Sequence, residues 1–152
     1  MKYLSGKEIM NYLDNIIYEK KQACKDSFYL TVNKIYKFNS TGELDFGGSE
    51  FKKCNLEEIK PEKRESNDDY GWWELNQGHY FIEFNEKLKL DKISDERIYI
   101  SPLGRLMIAG GDHTKTLHEK RKPVIDTILR VAESGLNIKE NARVSKLEIL
   151  KN

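Results

Sequence analysis

Two residues in the stretch 98–113 (IYISPLGRLMIAGGDH) are of types that bind anionic groups. Ser101 supplies a hydroxyl and Arg105, four residues later, supplies a guanidinium, and apolar residues frame both. A hydroxyl and a guanidinium placed in this way can hold an anionic group. The alternative is that Arg105 lies along apolar surface or pairs with a carboxylate. Spacing alone favours that alternative.

The elements that must position these two residues are short strands. Residues 98–100 are β-branched or aromatic and predict a strand that breaks or bends at Pro102. Gly110 and Gly111 predict a turn after it. Alternating or continuous apolar patterns predict further strands over 28–38, over 79–90 as two short strands or one bent strand, over 124–131 and over 136–150.

The first half of the chain contains a predicted N-terminal helix and, later, a predicted charged loop. Ser5 followed by Glu8 matches a capping box, which predicts a helix over about residues 6–18. Residues 54–69 are strongly charged and contain Pro61, so we expect an exposed loop there. Many short strands separated by turns predict a mainly β barrel or sandwich, and 152 residues suit one domain over 1–152.

Composition narrows the classes of partner. The 26 basic and 25 acidic residues leave a net charge of +1, which gives no argument for nucleic acid or membrane as partner. A charged fraction of 34% and the lack of any apolar run near the ~20 residues of a membrane span predict a soluble protein. Cys24 and Cys54 match no zinc spacing, so free thiols and a cytoplasmic location are expected, with a disulfide between the two as the alternative that no pattern supports. No metal site is predicted from the residues.

Four segments, in order, resemble the motifs of one superfamily. The N-terminal segment L-S-x-x-E-I begins at Leu4, and residues 26–32 (DSFYLTV) resemble a first strand often written S-x-D-L-T-L. Residues 78–86 (GHYFIEFNE) resemble G-x-Y-x-V-x-F-N-E, and residues 139–144 (KENARV) resemble K-x-x-A-R-V/I. Together they resemble the dUTPase and dCTP deaminase superfamily, most closely its archaeal dUTPase-like branch.

The resemblance carries expectations about architecture. It implies a β-clip, or distorted jelly roll, in a dUTPase-like barrel with a short N-terminal helix. It also implies a homotrimer with active sites between subunits. The ligand would be a deoxynucleoside triphosphate, dUTP or dCTP, accompanied by Mg²⁺.

The phosphate-binding motifs of the superfamily match in part. The motif R-S-S-L-L/A-R falls on residues 100–105, where Ser101 and Arg105 match and isoleucine and proline replace the other two positions. The motif A-R-x-x-Q falls on residues 142–146, where Arg143 matches and Lys146 replaces the glutamine. The resemblance therefore implies that phosphates bind Ser101, Arg105, Arg143 and Lys146.

The catalytic motifs depart from the superfamily. The D-x-G-Y-x-G hairpin should lie in residues 117–123, which read LHEKRKP and contain no Asp, Gly or Tyr. The deaminase glutamate should lie near residues 127–131, where Arg130 is the only charged residue. Glu119 and Asp112 are the candidate replacements for a catalytic base, with His113 and His118 beside them. The alternative, which the basic loop favours, is that these groups are solvated.

Three functions remain open at this stage. A catalytically degenerate, nucleotide-binding homologue is slightly favoured, because both catalytic carboxylates have moved or vanished. An active dUTP diphosphatase, converting dUTP to dUMP and pyrophosphate through a rebuilt loop, is the second, and a dCTP deaminase is a weaker form of it. A purely structural or protein-interaction trimer is the third.

Overall fold

Strands carry most of the fold, and short helices lie in the connections between them. The structure is a computed structural model and describes residues 1–119 and 121–152. The helices of the described chain are α1 (Gly6–Met10), α2 (Glu19–Gln22) and α3 (Gly104–Ala109), with a 3-10 turn at Leu90–Lys92. Its strands are β1 (Lys2–Tyr3), β2 (Leu13–Asp14), β3 (Phe28–Phe38), β4 (Leu56–Ile59), β5 (Trp72–Leu75), β6 (Gly78–Leu88), β7 (Arg97–Pro102), β8 (Gly111–Asp112), β9 (Thr116–Leu117), β10 (Val124–Val131), β11 (Leu136–Lys139) and β12 (Arg143–Lys151).

One large antiparallel sheet organises the chain. Its strand order is β8-β10-β6-β3-β12-β7-β9, with β1 on β12, β2 on β6 and β4 on β3, while β5 and β11 form a separate pair. The hydroxyls of Thr116 on β9 and Thr127 on β10 lie 3.2 Å apart, so β9, at one end of the strand order, meets the strand next to the other end. The sheet is thus curled toward a barrel, and the mainly β class predicted from the sequence is confirmed.

Alternation along the strands places every second side chain in the core. In β10, Ile125, Leu129 and Val131 are buried, whereas Ile128 and Arg130 between them face outward. The same rule applies to β7 and β12 and fills the inside of the curled sheet with aliphatic side chains. Truncating one such fully buried aliphatic residue to alanine would destabilise the protein by about 2–5 kcal/mol.

The N-terminal helix is shorter than the periodicity predicted. The capping box is present, since the Ser5 side chain accepts from the Glu8 N–H and the Glu8 carboxylate accepts from the Ser5 N–H. The helix nevertheless ends at Met10, because Leu13 and the residue after it leave the helical path and pair with the end of β6. Within the described chain, no helix is both long and apolar enough to cross a membrane.

The expected exposed loop over 54–69 contains a strand. β4 occupies Leu56–Ile59 and pairs with the end of β3, with Ile59 opposite Ile35. β4 reads L-E-E-I, which has no strand alternation, so no sequence signal separated it from the charged segment around it. Of the two alternatives expected over residues 79–90, the structure has the single strand, β6, which ends at Leu88 before the 3-10 turn.

Candidate functional site

Three of the four residues expected to bind phosphates, Ser101, Arg143 and Lys146, lie on the neighbouring strands β7 and β12. Lys146 on β12 pairs in register with Tyr29 on β3 and with Ser101 on β7. Leu147, the next residue of β12, is fully buried, so Lys146 points to the opposite, outer face of the sheet. Cross-strand partners on one face are close neighbours, which places Tyr29, Lys146 and Ser101 in one row.

Arg143 begins β12 and lies beside Tyr29. Its Nη1 donates to the main-chain carbonyl of Lys21 at 2.9 Å, at the end of α2. Its guanidinium lies 5.6 Å from the centroid of the Tyr29 ring, within the range of a cation–π contact. The side chain is half-buried. Two contacts therefore fix the direction in which Arg143 presents its remaining donors.

Arg105 lies in α3, the helix that follows β7, and its charge also acts on Tyr29. Cys24 raises the pKa of Tyr29, because the phenol O–H donates to its sulfur, and the positive charges of Arg105 and Arg143 oppose that rise. Both guanidinium groups thus act electrostatically on one phenol. Arg105 is exposed and has no hydrogen-bond or ion-pair partner among residues 1–119 and 121–152. We call Arg105, Arg143 and Lys146, grouped about Tyr29, the cationic surface.

Ser101 is already engaged by a carboxylate. Its Oγ donates to Glu148 Oε1 at 2.6 Å, and the same oxygen lies 3.6 Å from the ammonium of Lys115. The Lys115 ammonium also lies 4.8 Å from the ring of Tyr99. A phosphate that bound Ser101 would have to compete with Glu148. We therefore place Ser101 at the edge of the cationic surface, whose charge comes from Arg105, Arg143 and Lys146.

The two predicted catalytic carboxylates lie in different surroundings. Asp112 on β8 pairs with Arg130 on β10, with Oδ2 and Nη2 2.6 Å apart. This ion pair lines a cavity of about 560 Å³ whose wall is completed by Gln77, Gly78, His79, Met107, Gly110, Gly111, Val131 and Ala132. Glu119 follows β9 and is exposed. Among the described residues, neither carboxylate has a hydrogen bond or ion pair with Ser101 or with the cationic surface.

The two histidines beside them are buried rather than solvated. His113 Nδ1 lies 2.8 Å from the carbonyl oxygen of Thr114, and His113 Nε2 lies 2.8 Å from Ser145 Oγ. The neutral ring therefore donates to Thr114 and accepts from Ser145. His118 Nε2 lies 2.8 Å from the carbonyl oxygen of Lys122. Burial lowers the pKa of both imidazoles, which suits a structural role.

Sequence reasoning missed Tyr29 and Glu148. The alternation of residues 28–38 did separate Tyr29 from the buried Phe28, but no local pattern reveals which residue of another strand lies beside it. Glu148 sits in the outward row of β12 among residues that read as ordinary polar positions. Strand register, which depends on the whole fold, decides both contacts.

A metal site is absent from the part of the chain that the structure covers. No three His, Cys, Asp or Glu side chains there lie close enough together to hold an ion. Structural cages for divalent cations need several such ligands, whereas Mg²⁺ on a nucleotide is held mainly by phosphates and water. The residues present therefore do not fit a Mg²⁺ site built by the protein itself.

Sequence comparisons find no relative. No protein-family model matches the chain, and no curated protein matches it. Structure comparison does: the 2′-deoxycytidine 5′-triphosphate deaminase from Agrobacterium tumefaciens superposes with a TM-score of 0.67 at 13% identity. The match covers 97% of this chain and 46% of the deaminase, so the chain spans about half of that protein. At this identity the likeness concerns the fold, and the fold of this chain is dCTP deaminase-like, as the sequence resemblance predicted.

Proposed function

We propose that this protein binds a deoxynucleoside triphosphate, dUTP or dCTP, without converting it. The observation that carries the proposal is the placement of Arg143 and Lys146 beside Tyr29 on the outer face of the sheet. Guanidinium groups bind phosphates through paired, charge-assisted hydrogen bonds, and Arg105 has all its donors available among the described residues. The fold shared with a deaminase of dCTP supports the choice of ligand class.

The same geometry argues for binding over catalysis. Arg130 stands in the region where the resemblance expects the deaminase glutamate, and it ties up Asp112. Glu119 is exposed beyond β9, without the enclosed surroundings that activate a general base. A Mg²⁺ ion enters this proposal only as part of the nucleotide complex, coordinated by phosphates.

We also propose that the protein is a homotrimer. Ile128, Phe81 and Tyr36 are successive cross-strand partners on β10, β6 and β3, and they form a row on the outer face of the sheet that we call the outer stripe. The Phe81 and Tyr36 ring centroids lie 6.0 Å apart, and Ile128 is 50% exposed. A continuous apolar row on the outside of a sheet is typical of a surface that another subunit covers.

We place the protein in the cytoplasm, because Cys24 and Cys54 are free thiols.

Calorimetric titration with dUTP and dCTP in Mg²⁺ buffer tests the binding. Loss of one charge-assisted contact is worth about 1.5–3 kcal/mol, so Arg143→Ala should weaken binding about 10- to 150-fold. Arg97→Ala is the matched control, because Arg97 is an exposed cation at the far end of β7. It should leave the affinity within about twofold.

Chromatography of the nucleotide after prolonged incubation separates the three functions. Intact nucleotide together with calorimetric binding supports the proposal. Production of dUMP and pyrophosphate would make the protein a diphosphatase and direct attention to Asp112 and Glu119. No binding of either nucleotide would leave the structural or protein-interaction role.

A further inference from the structure

Behind the cationic surface lies a fully buried carboxylate. Glu86 on β6 has no exposed surface, and its Oε1 accepts from the Thr31 main-chain N–H at 2.8 Å. Its Oε2 accepts from the Thr31 hydroxyl at 2.5 Å and from Gln22 Nε2 at 2.9 Å. Burial raises the pKa of Glu86, and these hydrogen bonds oppose the rise. A buried carboxylate without an ion pair is unfavourable unless donors surround it, and here three do.

One arm of this network reaches the partner of Arg143. The Gln22 amide donates to the Tyr29 carbonyl as well as to Glu86, and its Oε1 accepts from the main-chain N–H groups of residues 17 and 18. Gln22 therefore ties α2 to β3 beneath Tyr29. The residue before it, Lys21, supplies the carbonyl that accepts from Arg143.

The other arm reaches the turn that leads into Arg143. Asn85, next to Glu86, donates through Nδ2 to the Thr31 hydroxyl at 2.9 Å and to Asn141 Oδ1 at 2.8 Å. Asn141 has a φ of 65°, in the left-handed region, and lies two residues before Arg143. A residue held in that conformation needs such fixation from its surroundings.

We propose that Glu86 is a positioning residue for phosphate binding. It joins the α2 carbonyl that holds Arg143 to the turn from which Arg143 emerges, through Gln22 on one side and Thr31 and Asn85 on the other. An apolar residue in the place of Glu86 would avoid the free-energy cost of desolvating a charge, but it could not accept hydrogen bonds. Only an acceptor-only group satisfies all three donors that converge here. This inference rests on the proposed nucleotide binding.

Glu86→Gln is the direct test. Either orientation of the new amide sets its NH₂ group against a donor, the Thr31 N–H or the Gln22 amide, while the side-chain volume hardly changes. We expect the affinity for Mg·dUTP and for inorganic triphosphate to fall about tenfold in calorimetry. Glu83→Gln is the matched control, because Glu83 lies on the same strand but faces outward, and its affinity should equal the wild-type value.

A second readout follows Arg143 itself without ligand. The ¹⁵N side-chain signals of Arg143, assigned through Arg143→Lys, should shift in Glu86→Gln and stay in place in Glu83→Gln. Gln22→Met removes the bond between Glu86 and α2 together with the bonds of Gln22 to Tyr29 and to residues 17 and 18. It should weaken binding and shift the Arg143 signals in the same way, and it replaces Glu86→Gln if that variant does not fold.

The outcomes separate the inference from the function beneath it. If wild-type protein binds neither nucleotide, the proposed function fails and a role of Glu86 in binding fails with it. If wild-type protein binds and Glu86→Gln binds equally well with unmoved Arg143 signals, the inference alone is overturned, even if the variant melts at a lower temperature.

Discussion

At the residue scale, a carboxylate lies at the edge of the cationic surface. Glu148 Oε1 accepts from the Ser101 hydroxyl and lies 3.6 Å from the Lys115 ammonium. Arg105 and Arg143 could be chosen from the sequence because guanidinium groups at motif positions stand out. That Ser101 would donate to Glu148 depends on the register between β7 and β12, which no local pattern encodes. The contact has a consequence for affinity, because Glu148 places a negative charge beside the cationic surface.

Neutralising that carboxylate should strengthen nucleotide binding. Glu148→Gln keeps the shape of the side chain, removes one charge that repels phosphates and loosens its hold on Ser101 and Lys115. At the effective dielectric of a protein surface, this repulsion corresponds to about a 3- to 10-fold change in Kd for dUTP. Titration calorimetry at low salt measures it, with Glu133→Gln as an exposed control. A weaker complex would instead show that Glu148 positions Ser101 for the ligand.

The buried imidazole of His113 should make the protein less stable in acid. Burial lowers the folded-state pKa below the unfolded value of about 6.5, so the unfolded chain binds more protons as the pH falls through 6.5. The stability that the neutral His113 contributes is therefore fully present above that pH and decreases below it. The decrease is about 1.4 kcal/mol for each tenfold difference in proton affinity between the folded and unfolded states. Urea unfolding at pH 7.5, 6.5 and 5.5 measures the slope.

His118 is the second buried histidine and should contribute to the loss of stability in acid in the same way. Burial lowers its pKa as well, so His113→Gln should flatten the acid slope in part, and the double variant with His118→Gln should flatten it further. Equal slopes in wild type and the double variant would show that other groups govern the acid transition.

At the scale of elements, periodicity predicted the long strands and failed where pairing overrode it. Residues 28–38 and 124–131 alternate clearly and form β3 and β10 close to the predicted bounds. Residues after Met10 keep a helical spacing, yet they join β6, because main-chain hydrogen bonds to an existing strand outweigh a short, marginal helix. In the same way, β4 forms within a charged segment because it pairs with β3.

Two helix-opening glycines should respond oppositely to alanine. In a helix, alanine is normally preferred over glycine by about 1 kcal/mol. At Gly6, the first residue of α1, a Cβ would lie 2.4 Å from both N and O of Cys24, whose carbonyl accepts from the Gly6 N–H. At Gly104, the first residue of α3, a Cβ meets nothing within 4 Å.

We therefore expect Gly6→Ala to destabilise the protein by about 2 kcal/mol or more, since backbone atoms cannot move aside cheaply. Gly104→Ala should be neutral or stabilise by up to about 1 kcal/mol. Free energies of unfolding in urea decide the matter. If Gly6→Ala matched Gly104→Ala, the close approach of α1 to the 24–27 segment would be wrong.

At the scale of the whole molecule, a substitution in the outer stripe tests whether the cationic surface is part of an assembly of several subunits. A charge at its centre would have to be desolvated between subunits without a partner, whereas in a monomer it would sit in water. Ile128→Arg should therefore convert a species of three times 17.8 kDa into one of 17.8 kDa in sedimentation equilibrium, with the fold intact by circular dichroism.

Ile17→Arg provides the comparison, because Ile17 is equally exposed, at 52%, and does not belong to the stripe. It should leave the mass unchanged. Calorimetry on the same samples then links assembly to function: if Ile128→Arg is monomeric and loses dUTP affinity, the cationic surface is one wall of a site that a neighbour completes. If it is monomeric and binds as tightly as wild type, one chain suffices for the phosphates. Wild-type protein that sediments as a monomer at micromolar concentration would remove the trimer, and the outer stripe would then need a different partner.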